Sequence, residues 1–175
     1  MKATGIVRRI DELGRIVIPK EIRRVLRIRE GDPIEIFTDG DAVVLKKYAR
    51  MRELGDYAEV YCQALTGALG FSAAVTDTET VLFASGPMKK QLLKATLSET
   101  FVERMRARQT ILAPEGYMLL KENGSPLRLA AVPVTSSGDV LGSVLIATDD
   151  TRLRLSDTEL SILKTAALYL GKQLE

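Results

Sequence analysis

Between Thr4 and Arg29 two β-branched runs, Ile6-Val7 and Ile16-Val17-Ile18, stand either side of Asp11-Glu12-Leu13-Gly14, and Pro19 follows the second run directly. β-branched runs bounded by Gly and Asp read as strands joined at a turn. Pro19, with its fixed φ and missing N–H, fits the first position of a helix. In that helix Ile22, Val25 and Leu26 recur at i, i+3, i+4 and share one face. Arg23, Arg24 and Arg27 project from the other side. Gly31, in Glu30-Gly31-Asp32-Pro33, suits a left-handed residue ending the helix. Ile34-Glu35-Ile36-Phe37 then alternates as a strand, Asp39-Gly40 turns the chain, and Ala42-Val43-Val44-Leu45 returns. The unit reads strand, strand, helix, strand, strand over about 48 residues. A domain that small buries too little surface to stand alone, and pairing with a second copy is the usual remedy.

The same stretch is strongly basic. Residues 1–29 hold nine Lys/Arg against three Asp/Glu, a local net of +6. Residues 1–50 carry +4 and residues 51–175 carry −2, so the overall +2 conceals a basic front and a mildly acidic back. Phosphate backbones attract a cationic face by Coulomb forces and by counterion release. The expected activity of the front is therefore DNA binding. The competing expectation is a solvated face whose arginines pair with Asp11, Glu12 and Glu21, each pair worth about 0–1 kcal/mol.

The segments Gly5-Ile6-Val7-Arg8, Leu13-Gly14-Arg15-Ile16-Val17-Ile18-Pro19-Lys20-Glu21-Ile22-Arg23 and Gly31-Asp32-Pro33-Ile34-Glu35-Ile36 resemble the AbrB family of swapped-hairpin transcription regulators. The resemblance implies that two chains exchange hairpins into one intertwined barrel. It implies that Arg8, Arg15, Arg23 and Arg24 face double-stranded DNA, while Arg9, Lys2 and Lys20 are added on charge alone. It also implies regulation of the sporulation or transition-state type, with DNA shape read more than a strict base code. Arginine suits the task, because its planar fork meets phosphates and guanine edges in paired hydrogen bonds.

Ala49–Glu53 is short and charged, and the expected domains are 1–50 and 51–175. From Leu54 the pattern changes. Leu54, Ala58, Tyr61, Leu65 and Ala68 recur at alternating four and three, and Leu160, Leu163, Ala167, Leu170 and Leu174 do likewise. That is either the seam of helices 54–69 and 160–174 in a bundle between chains, or a helix lying on its own sheet. Phe71–Thr76, Thr80–Ala84, Ile111-Leu112, Tyr117–Leu120, Leu129–Val134 and Val140–Ala147 read as strands. Met88–Ala95 reads as a short helix, Ser98 caps another running to Arg108, and Ser156-x-x-Glu159 is a capping box. This order resembles a GAF domain, which implies small-molecule sensing or dimerisation. The asparagine-lysine, phenylalanine and aspartate-glutamate signature of cyclic-nucleotide-binding members has no match. The expected fold class is α+β: an N-terminal ββαββ swapped-hairpin dimer barrel, then an α/β GAF-like domain with a central antiparallel sheet.

Other functions find less in the residues. With no histidine, His-based catalysis and His-ligated metals are excluded. No G-x-G-x-x-G, phosphate-loop or C-x-x-C pattern occurs. Neither an enzyme, a cofactor nor a metal is expected. Cys62, the single cysteine, lies on an apolar helical pattern and reads as a buried thiol. No signal peptide or membrane-length apolar run is present, and a cytoplasmic protein is expected. The partners expected are DNA, further copies of the chain (a dimer by hairpin exchange, a tetramer through the two helices) and a small molecule of unknown identity. The alternative is an antitoxin of the same front fold, which neutralises a toxin and represses its own promoter.

Overall fold

Gly40, at φ +60°, turns the chain between Ile34–Asp39 (β1) and Ala42–Lys47 (β2), which pair antiparallel with Ile36 opposite Leu45 and Phe37 opposite Val44. The structure is a computed structural model that describes residues 5–26, 28–48, 50–122 and 124–175. The chain divides into two compact units, Met1–Tyr48 and Ala49–Glu175.

In the first unit Lys20–Val25 forms α1. Pro19 sits one position earlier than expected, at the N-cap: its ψ of 146° is extended, while its carbonyl accepts the first helical bond from Arg23 N at 2.9 Å. Gly31, at φ +83°, serves the turn after the helix rather than the helix end. There Asp32 N donates to Arg29 O (3.2 Å) and Arg29 N to Asp32 Oδ2 (2.8 Å). The runs Ile6-Val7 and Ile16–Ile18 lie in no strand ladder within the chain. Among the described residues one chain closes no barrel, since its sheet here has only the two strands β1 and β2. Closure of a swapped-hairpin barrel requires strands from a second copy.

In the second unit, a 3₁₀ turn at Arg50–Leu54 leads into α2 (Gly55–Leu69), which ends on Gly70 in the left-handed region at φ +75°. Five antiparallel strands follow: β3 (Ser72–Thr76), β4 (Val81–Ser85), β5 (Ile111–Tyr117), β6 (Leu127–Ser136) and β7 (Asp139–Thr148), ordered β4-β3-β7-β6-β5. α3 (Lys89–Leu92), α4 (Glu99–Arg106) and α5 (Asp157–Lys172) complete it. Ser98 Oγ accepts from Phe101 N (3.3 Å) as the cap of α4. The Ser156–Glu159 capping box forms as the motif predicts, Ser156 N donating to Glu159 Oε2 at 2.8 Å. Ser137 and Gly138, both at positive φ, make the two-residue β6–β7 turn. Its backbone twist matches that of the flanking strands.

The sheet is covered on both faces, which is why β6 and β7 read as almost unbroken apolar runs. Successive side chains point to opposite faces. Ala130, Val132, Val134, Val144 and Ile146 join one core with α2 and α5. Leu127, Leu129, Ala131, Leu145 and Ala147 join a second core with α3 and α4.

Two expectations are corrected here. Ile111-Leu112 and Tyr117 belong to one strand, which departs from β6 between Ala113 and Tyr117 around Pro114, whose ring nitrogen cannot donate to a ladder. Leu120 makes an isolated bridge with Leu97. The alternating leucines are not a seam between chains either. Leu54, Ala58, Leu65, Leu160, Leu163, Ala167, Leu170 and Leu174 are buried against their own sheet, and Ala68 is exposed outside that cluster. A period near 3.5 marks the buried stripe of any amphipathic helix, so it could not say which surface covers the stripe.

The α5–β6 contact is close enough to test. A Cβ on Gly171 would lie 2.3 Å from Thr135 O, whereas one on Gly67, exposed on α2, meets nothing within 4 Å. Gly171→Ala is expected to destabilise the chain by about 1–3 kcal/mol through overpacking. Gly67→Ala should stabilise it by about 0.5–1 kcal/mol through helix propensity. Urea unfolding of both variants checks the opposite signs.

Candidate nucleic-acid interface

Asp11 organises the front of the chain. Asp11 N donates to Arg15 O (3.1 Å) and Gly14 N to Asp11 O (2.9 Å), with Gly14 at φ +74°. The Asp11 carboxylate takes three more donors: Oδ1 accepts from Leu13 N (3.0 Å) and Arg15 N (2.8 Å), and Oδ2 from Arg15 Nε at 2.7 Å. Arg8 and Arg9 thus lie on one arm of a tight turn and Arg15 opens the other. By charge alone Asp11 reads only as a neutraliser. The signal for its structural role was Asp at the first and Gly at the fourth position of a turn.

The cations divide by partner. Arg15 is paired with Asp11, although both side chains keep substantial exposure, 70% and 42%. Arg8, Arg9, Lys20, Arg23 and Arg24 are exposed and form no ion pair among the described residues. Glu12 and Glu21 do not neutralise them. Lys20, Arg23 and Arg24 stand three and four apart on α1, the spacing that places side chains on one helix side. Lys2, like Arg27, lies outside the described residues.

These cations sit beside uncovered apolar surface. Val7 is 86% exposed, Val17 74%, Val25 79%, and Ile36 and Val43 67% each. No residue of α1 is buried.

Burial pushes the Cys62 thiol up to about 12, which leaves it protonated and unreactive. Among the described residues no three acidic or cysteine side chains gather as a metal site, and no helix is long and apolar enough to cross a membrane.

Comparison with known proteins identifies this architecture. Residues 53–175 match the family described as stage V sporulation protein T C-terminal, transcription factor. The chain is 44% identical to stage V sporulation protein T of Bacillus subtilis (strain 168), over all of this chain and 99% of that one. The chain belongs to the stage V sporulation protein T family. Residues 7–53 match a second family, antidote-toxin recognition MazE, bacterial antitoxin. A 48-residue stretch is 60% identical to the transition state regulatory protein AbrB of Bacillus subtilis (strain 168), covering 27% of this chain and half of that one. In this family member the second unit has the GAF fold. It superposes with a TM-score of 0.52 on the GAF domain of the nutrient sensor CodY from Clostridium difficile, at 18% identity over 67% of this chain and 83% of that one.

The Asp11 carboxyl is held below its ordinary value, first by the Arg15 backbone N–H and then by the Arg15 side chain. A depressed carboxylate supports the turn at and above the ordinary aspartate value, and that support is lost as pH falls through the lowered one. An NMR titration should place the Asp11 midpoint below 3.8. Arg15→Ala should raise it without restoring it fully, because the residue-15 backbone N–H remains.

Proposed function

We propose that this protein is a DNA-binding transcription regulator that works as a homo-oligomer, with residues 1–50 contacting double-stranded DNA and residues 51–175 sensing a small molecule and joining copies. The observation that carries the reading is the pairing of free cations with bare apolar surface in one small unit. Arg8, Arg15, Arg23 and Arg24 contact DNA, supported by Arg9, Lys20 and Lys2. A second copy covers Val7, Val17, Ile36 and Val43 by exchanging hairpins, and supplies ladder partners for the runs Ile6-Val7 and Ile16–Ile18. A two-stranded hairpin alone is marginal in water, so the partner's strands and the stability of the unit come together.

The antitoxin reading rests on the match at residues 7–53. The relationship to the sporulation protein spans the whole chain and includes a second unit with two built cores, which favours the regulator.

Replacing both Arg23 and Arg24 with Ala should weaken promoter binding and flatten its salt dependence, the slope of log K against log salt falling by about one for each phosphate the protein no longer neutralises. Fluorescence anisotropy across a salt series reads both. Unchanged affinity and slope would remove α1 from the interface.

The second interface uses the outer faces of α2 and α5. These helices lie side by side, with Tyr61 stacked on Tyr169 at 5.9 Å, and they expose Tyr57 (78%) and Leu168 (67%). Tyr57→Asp with Leu168→Asp should halve the mass seen by analytical ultracentrifugation and leave the fold intact. Leu163→Asp would instead bury a charge in the core.

A further inference from the structure

The cations of the first unit are not held alike. Of Arg8, Arg9, Arg15, Lys20, Arg23 and Arg24, Arg15 alone has a side-chain partner among the described residues. Asp11 fixes it at three points. Arg15 N donates to Asp11 Oδ1 (2.8 Å), Arg15 O accepts from Asp11 N (3.1 Å), and Arg15 Nε donates to Asp11 Oδ2 at 2.7 Å. Asp11 Oδ1 also accepts from Leu13 N at 3.0 Å, so the carboxylate is itself anchored to the turn. The bond at Nε occupies one edge of the guanidinium and leaves the four N–H groups of Nη1 and Nη2. These form the end-on fork and make no hydrogen bond among the described residues, on a side chain that is 70% exposed.

We infer that Arg15 reads a guanine edge in the major groove, and that Asp11 is the positioning residue that fits it for this contact. The inference rests on the reading that the first unit binds double-stranded DNA. Two physical differences set Arg15 apart from the other cations. Its charge stands against a carboxylate, so a phosphate attracts it less than it attracts a free cation. Its side chain is already ordered, so less rotamer freedom is lost when a further contact forms. Order matters most at a base. Guanine sets O6 and N7 side by side, and a planar fork meets both in one orientation only. Arg8, Arg9, Lys20, Arg23 and Arg24, which nothing holds, suit phosphates, whose contacts fix register and carry no sequence information directly. Asp11 meanwhile brings a negative charge to a polyanion, which opposes binding to every duplex alike. Its place among the cations lowers affinity and raises discrimination. The single base contact adds to a recognition otherwise set by DNA shape.

Asp11→Asn isolates the bond at issue. The asparagine Oδ1 still accepts from Leu13 N and Arg15 N, while an amide NH₂ in place of Oδ2 cannot accept from Nε. A duplex selected from a random library by the wild-type full chain serves as the specific probe, and an unrelated duplex as the non-specific one. Fluorescence anisotropy at fixed salt reads both. Replacing guanines singly by 7-deazaguanine removes N7 and keeps O6 and the base pairing. At one guanine or more this should weaken wild-type binding about tenfold, the scale of a good bidentate pair. Arg15→Lys keeps the charge without the fork, and should lose no more than about twofold at that guanine. Arg23→Lys and Arg24→Lys should still show the full loss. Asp11→Asn should bind the unrelated duplex at least as tightly as wild type, while its ratio of specific to non-specific affinity falls about tenfold. Thermal unfolding of each variant confirms the fold. The absence of any sensitive guanine, or a full guanine effect in Arg15→Lys, overturns the assignment. So does an unchanged ratio in Asp11→Asn, which makes Asp11 a mere neutraliser, or weakened non-specific binding, which assigns it to the turn alone. Binding without any selected sequence overturns the inference and leaves the DNA-binding reading standing, whereas no binding to any duplex removes both.

Discussion

Apolar surface must be covered, and the two units of this chain meet that demand in opposite ways. The second unit covers its sheet with its own helices, α2 and α5 on one face and α3 and α4 on the other. The first unit has a two-stranded sheet and a helix of six residues that buries nothing. Burial is worth roughly 25 cal/mol for each Å² removed from water. A unit that leaves most of its valines and isoleucines exposed forgoes that gain until another surface arrives. Within one chain, the front unit therefore lacks the stabilisation that the second unit draws from its own helices.

The same requirement explains why the cationic residues are where they are. A charged side chain is costly to bury in a core, and Arg8, Arg9, Lys20, Arg23 and Arg24 are all exposed. Crowding such charges on a small unit costs electrostatic repulsion, which an acid can relieve. Asp11 does so for Arg15, and also accepts two backbone N–H donors of its turn. Its charge therefore serves backbone geometry as much as the guanidinium, and Arg15 keeps most of its exposure. An acid among exposed cations here holds a turn in shape.

How much of this could be read from residues alone depended on whether the decisive partner was local. Asp39-Gly40, Ser98, Ser156 with Glu159, and Gly70 act within a few positions of themselves, and each does what its motif indicates. Pro114 broke one strand's pairing without ending the strand, because β6 continues alongside to receive Tyr117. The leucine pattern of α2 and α5 was legible as a stripe, but not its destination, since spacing carries no information on what lies opposite. In the site, the charges of α1 were visible as spacing. The service of Asp11 to its turn depends on distances that no one-dimensional pattern holds. The family motifs reached furthest, as they encode three-dimensional contacts already selected together.

Regulation asks for more than a ligand site and a DNA site on one chain. A ligand moves an equilibrium only by the difference in its affinity for the two states. The core beneath α3 and α4 lies on one side of the five-stranded sheet, and α2 and α5 lie on the other. Between them the sheet is tightly fitted: a Cβ on Gly142 of β7 would stand 1.9 Å from Thr76 O of β3, and the Thr76 and Ser143 hydroxyls meet at 2.7 Å. Interiors packed at this density respond to a push by shifting as a body rather than by absorbing it. A displacement of α4 would then be felt on the α2–α5 face through small displacements of β3 and β7.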